Sequence, residues 1–129
     1  MSNQQEEQQI ILDSVPAWIF YKDRENRLMR VNRAFCEVMG MTQEQLEGKS
    51  LFDLFPRTQA EAYWNDDKEV MDTGRAKTGI VESMESPAKG TMWVQTDKLP
   101  YRDSTGNIVG IFSGGGMMMQ YRWRFENVS

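Results

Sequence analysis

The sequence contains no histidine. That absence removes Ser/His and Cys/His nucleophile pairs, histidine-ligated haem and histidine-containing zinc sites. It also removes the usual phosphoacceptor of a histidine kinase. Cysteine occurs once, as Cys36, so no intrachain disulfide can form. No apolar run approaches the roughly 20 residues that span a bilayer. The amino-terminal MSNQQEEQQ is polar and acidic, which is not the pattern of a secretory signal. A glycine-rich strand–helix turn of the dinucleotide-binding kind is missing. Basic residues number 15 against 19 acidic ones, for a formal charge of −4. Such a chain has no general electrostatic reason to seek nucleic acid or an anionic membrane. The expectation is a cytoplasmic protein, or the cytoplasmic piece of a larger one.

What is present fits one domain. The 129 residues are enough for one compact domain and few for two, and 40% hydrophobic with 26% charged residues is a soluble globular balance. Residues 4–13 read as a glutamine-rich helix ending in Ile10, Ile11 and Leu12, which is marginal alone and needs a surface. Pro16 breaks it. Ala17 to Lys22 is aromatic and β-branched and reads as a strand, Asp23 to Asn26 as a turn, and Leu28 to Val31 as a second strand. Asn32 is an N-cap for a helix that Gly40 stops. Thr42 and Gln45 fit a capping box, with Met41 and Leu46 as its hydrophobic staple. Leu51 to Leu54 makes one more turn. Thr58 and Glu61 suggest a second capping box, opening the longest helix, which Gly74 closes. Its apolar stripe is Ala60, Tyr63, Trp64, Val70 and Met71, and Asp67 sits on that stripe.

The remainder reads as three strands in hairpin succession: Thr78 to Glu85, Thr91 to Tyr101, and Ile108 to Ser113. Met92, Val94 and Thr96 fall on one face of the second, and Trp93, Gln95 and Asp97 on the other. Short links favour antiparallel pairing. The architecture is α+β, a single five-stranded antiparallel sheet with short helices on one face and an N-terminal flanking helix. The divisions are residues 1–14 as that helix, 15–116 as the folded domain and 117–129 as a C-terminal tail.

The order and wording resemble the PAS domain family. The residues that carry the resemblance are Asp23 and Val31-Asn32-Arg33-Ala34-Phe35, then Gly48-Lys49 and Asp53-Leu54-Phe55-Pro56. Trp93, Lys98-Leu99-Pro100, Asp103 to Asn107 and Gly110 follow. The match covers roughly residues 10 to 113. Asn26 stands where the family prefers glycine, a small departure because asparagine tolerates positive φ. After Ser113 the family's usual Asp is missing. The resemblance implies a sensory module of a signal-transduction protein, such as a two-component sensor kinase or a cyclic-dinucleotide enzyme. It would bind a small molecule or partner and relay the signal by protein–protein contact to an effector domain. Any kinase or cyclase activity would lie in another domain. The alternative is a ligand-free dimerisation or interaction module.

The resemblance places a ligand pocket between the helices and the inner sheet face. Candidates are Phe35, Met39, Phe52, Phe55, Tyr63, Trp64, Asp67 and Trp93, set against an ordinary aromatic core. A carboxylate at Asp67 must be hydrogen-bonded, paired or wet, so it either touches a ligand or bonds a loop amide or Lys98. The light-sensing subfamily's flavin-reactive motif is absent, so Cys36 reads as structural and no covalent flavin adduct is expected. No carboxylate spacing makes a metal site. Ile10 and Ile11 suggest a homodimer interface. Tyr121, Trp123 and Phe125 alternate with Arg122 and Arg124, a period-two pattern suited to a strand extension or docking segment.

Overall fold

Helix α1 (Asn3–Ser14) begins at Ser2, whose hydroxyl and Gln5 form a reciprocal capping box. It is followed by β1 (Trp18–Asp23), β2 (Leu28–Val31), α2 (Arg33–Met39), α3 (Gln43–Leu46), α4 (Leu51–Leu54) and α5 (Arg57–Thr73). Strands β3 (Lys77–Ser86), β4 (Gly90–Arg102) and β5 (Ile108–Met117) follow. The structure is a computed structural model that describes residues 2–118. The strands form one antiparallel sheet in the order β2-β1-β5-β4-β3. The α+β architecture read from the sequence is the observed one.

Local chemistry sets most element ends. Asn32 caps α2 by accepting from the Phe35 amide, and Thr42 with Gln45 forms the capping box of α3. Ser50 and Asp53 form another on α4, which the sequence reading missed. The expected Thr58/Glu61 box does not form. Helix α5 starts earlier, at Arg57 after Pro56, and has no side-chain cap. Proline's fixed φ suits a helix start, so the chain enters α5 before Thr58 can act as a cap. Asn26 takes φ 66° in the β1–β2 turn, the left-handed conformation asparagine tolerates.

Strand β5 extends beyond Ser113, its expected end, through Gly114–Gly116 to Met117. A Cβ on Gly115 would lie 2.7 Å from the Gln95 carbonyl oxygen, so close strand packing there requires glycine. The tail candidates Tyr121, Arg122, Trp123, Arg124 and Phe125 lie outside the described residues.

The core lies between the helices and one sheet face. Trp18, Met84, Met92 and Val94 point in from the strands, and Phe35, Val38, Leu51, Phe55 and Tyr63 meet them from the helices. Each buried large apolar side chain contributes about 1.5–3 kcal/mol. Helix α1 docks differently, through polar groups. Buried Gln9 donates to the Val31 carbonyl (3.1 Å), and Asp13 accepts from the Arg33 amide (2.7 Å). Asn32 donates to the Leu12 and Ala17 carbonyls while accepting from the Ile19 amide. Ile10 and Ile11 remain 68% and 64% exposed.

Candidate ligand site

Asp67 occupies the apolar stripe of α5 and is fully buried. A carboxylate there needs compensation, and two lysines supply it. Lys22 of β1 donates to Asp67 Oδ2, and Lys98 of β4 donates to Oδ1 at 2.8 Å. The strand order explains the meeting, because β1 and β4 flank β5 and both lysines point from the inner face toward α5. Lys22 also donates to Asn26 Oδ1 (2.9 Å), whose amide nitrogen donates to the Ser50 hydroxyl (3.2 Å). Lys98 donates to the Tyr63 carbonyl (3.0 Å), and its ammonium lies 5.4 Å from the Tyr63 ring centre. Burial lowers the Lys22 pKa to about 8 despite the attraction of Asp67, and the nearby Lys98 charge adds to the depression.

Lys98 also lines a cavity of about 40 Å³ between helices and sheet. Its aromatic walls are Trp18, Phe20, Phe35, Phe55 and Tyr63. Phe20 and Phe35 are in ring contact at 4.6 Å, and Phe55 meets Tyr63 edge-on at 5.5 Å. Leu51, Met84 and Val94 add aliphatic surface. The polar wall is Lys98, Glu82, Thr96 and Ser113, with Gly114 and Gly115 admitting close approach to the β5 backbone. Thr96 donates to Glu82 at 3.1 Å. Burial raises the Glu82 carboxyl pKa, and the Lys98 charge works against that rise.

Of the sequence candidates, Phe35, Phe55 and Tyr63 line this cavity. Asp67 stands behind it and holds Lys98 in place. Met39 is buried in the main core without reaching the cavity wall. Trp64 packs instead against a second cluster, Val70, Met71 and Ile111, away from the cavity. Two candidates are corrected outright. Trp93 is 65% exposed, because strand alternation that turns Met92 and Val94 inward turns it outward. Phe52 is 41% exposed, because on the single turn of α4 it is Leu51 that faces the core. Lys98 and Ser113 were missed as wall residues. Their signal was available, since both hold inward positions on their strands in register with one another. Cys36 is half-buried, and its thiol pKa is raised by burial and by nearby Asp13, Glu47 and Glu44. That is the opposite of an activated thiolate.

A family model described as the PAS fold matches residues 12–113. The uncharacterized protein y4lL of Sinorhizobium fredii is 32% identical over 77 residues, which is 60% of this chain and 9% of that protein. The structure of VqmA bound to DPO superposes with a TM-score of 0.77 at 24% identity, covering 88% of this chain and 58% of that one. The PAS domain of a Colwellia psychrerythraea protein superposes with a TM-score of 0.75 at 15% identity, covering 92% of this chain and 99% of that one. The chain thus spans only a small part of y4lL and little more than half of VqmA. Sheet order, helix placement and the matched span agree, and the chain belongs to the PAS fold family.

Proposed function

We propose that this chain is the sensory domain of a signal-transduction protein and binds a small molecule in the cavity beside Lys98. The observation that carries this reading is a buried ammonium on the wall of a largely apolar, aromatic-rich cavity. Small-molecule sites combine apolar walls with a few placed polar groups in this way. The VqmA structure, named as bound to DPO, gives a precedent for a ligand on a similar fold. Occupancy would bias the packing of α2, which carries Phe35, against Phe20 and the inner sheet face. Helix α1 follows that movement because Asn32, at the start of α2, is bonded to its last turn. Its exposed Ile10 and Ile11 then offer the homodimer contact through which the signal passes to an effector domain or partner. The whole acts in the cytoplasm. No helix among the described residues is long and apolar enough to cross a membrane.

The cavity's small size favours one second reading, an interaction module with a filled core and no ligand. Native mass spectrometry of the purified protein, with thermal shifts across a metabolite panel, separates the two. Sensing predicts an added small-molecule mass or a stabilising metabolite. A clean apo mass with no stabiliser in the panel would sink it.

A further inference from the structure

Two ammonium groups share one buried carboxylate, and they are not equally compensated. Lys98 has Asp67 Oδ1, the Tyr63 carbonyl, the face of the Tyr63 ring and the nearby Glu82 charge. Lys22 has Asp67 Oδ2 and the neutral amide oxygen of Asn26. The other charged groups acting on Lys22 are Lys98 of β4, which repels it, and Asp23 of its own strand, which is already bonded to Arg27. Its register partners on β2 and β5 are Leu28 and Ile111, which are apolar. Lys22 is therefore a buried cation short of counter-charge, a setting in which proton loss relieves the cost of burial. Its pKa falls to about 8 accordingly.

A route from that charge to the surface is built from polar side chains. Asn26 takes φ 66°, a conformation that glycine would adopt without cost. Here the position carries an amide bonded at both ends. Its Oδ1 accepts from Lys22 Nζ (2.9 Å), and its Nδ2 donates to Ser50 Oγ (3.2 Å). Ser50 is half-buried and caps α4, accepting from the Phe52 amide (3.1 Å), while Asp53 accepts from the Ser50 amide (3.0 Å). Helix α4 is a single turn of four residues with Phe52 exposed, so it opens at low cost compared with the sheet or α5. We propose that α4 is a proton-linked gate over Lys22, opening to let water in past Ser50 and Asn26 while the lysine is charged and staying shut once it is neutral. Protonation favours the open state because the hydrated lysine binds its proton more tightly than the buried one. Leu51 and Phe55, at the two ends of α4, line the aromatic cavity, so the same opening loosens that wall. The gate operates whether or not the cavity holds a ligand.

Hydrogen exchange of the full ¹⁵N-labelled chain tests this. The Asp53 amide, bonded to the Ser50 carbonyl (2.9 Å), and the Phe55 amide, bonded to the Leu51 carbonyl (3.0 Å), report on α4. The Glu47 amide, bonded to the Gln43 carbonyl (2.9 Å), reports on α3, the equally short helix before it. After correction for intrinsic exchange, protection in α4 should rise about tenfold between pH 7 and 9. That is the factor for a lysine with a pKa of about 8 when the gate is shut and about 10.4 when hydrated. Protection in α3 should stay flat. Lys22→Met should give equal α4 protection at both pH values. Asn26→Gly keeps the turn conformation and lets water reach Lys22 with α4 shut, so it should flatten the profile too, and it carries the test if Lys22→Met does not fold. Protection in α4 that stays flat or falls with pH in the native chain, or a rise of equal size in α3, overturns the gate. A tenfold rise that persists in either variant overturns its assignment to Lys22 and Asn26.

Discussion

Replacing Asp67 by asparagine removes one negative charge and almost no volume. In the folded protein Asp67 lies between two buried ammonium groups and accepts from both. A neutral amide at that position would leave those ammoniums facing each other with no counter-charge between them, and only Glu82 would remain near Lys98. Breaking a buried ion pair by removing one partner costs about 3–5 kcal/mol. A unit-charge interaction at about 4 Å is worth about 4 kcal/mol at an effective dielectric constant of 20, which supports that range. A domain of this size has about 5–15 kcal/mol in all. Asp67→Asn should therefore bring the protein near its stability limit, moving the urea midpoint by about 2 M or more for a slope near 1.5 kcal/mol/M. The assay is urea unfolding followed by tryptophan fluorescence at pH 7. The double variant Lys22→Met/Asp67→Asn should recover at least about 1 kcal/mol of the loss, since it removes the Lys22–Lys98 repulsion. A loss below about 1 kcal/mol, or strict additivity in the double variant, would refute the idea that this triad organises the core.

The Lys22 pKa, lowered to about 8, predicts a pH effect. Between pH 8 and 10 the unfolded chain keeps a proton that folded Lys22 has released, so stability should rise with pH across that window. Above pH 10 the raised Tyr63 pKa opposes it, because the folded phenol keeps a proton that the unfolded one loses. Urea midpoints at pH 7.5 and 9.5 check the sign, and Lys22→Met should abolish the rise. Gly110→Ala would drive a Cβ into the Lys22 carbonyl oxygen of the neighbouring strand. It should destabilise by about 2 kcal/mol or more, read by thermal melting. Trp93→Ser, on the outer sheet face, should change stability by less than about 0.5 kcal/mol, read by the same melting assay. Ile10→Asp with Ile11→Asp should leave the melting temperature of the monomer unchanged while dissociating a dimer in sedimentation velocity.

The sequence made the element order and most helix starts legible, because the signals are local. Asn32, Thr42 and the glycines at 40 and 74 each act within a few residues. The Thr58 cap failed because Pro56 offered an equally local, competing start. The site was less legible because it is made by tertiary pairing. Helical periodicity placed Asp67 on a buried stripe, and Lys98 was one of its candidate partners. Lys22, 45 residues away, became a partner only through the crossover that sets β1 beside β5. Trp93 shows a different error. The alternation of β4 already turned it outward, yet its aromatic character drew it into the pocket list.

Two indole groups make the most direct test of the central claim, that the inner cavity is the ligand site. Trp18 lines the cavity and Trp93 lies on the opposite sheet face. The decisive measurement is a ¹⁵N–¹H spectrum of the indole N–H signals during titration with a metabolite that stabilises the protein in the thermal-shift panel. The account predicts a saturable shift of Trp18 with Trp93 unmoved. A shift of Trp93 with Trp18 unmoved would contradict it.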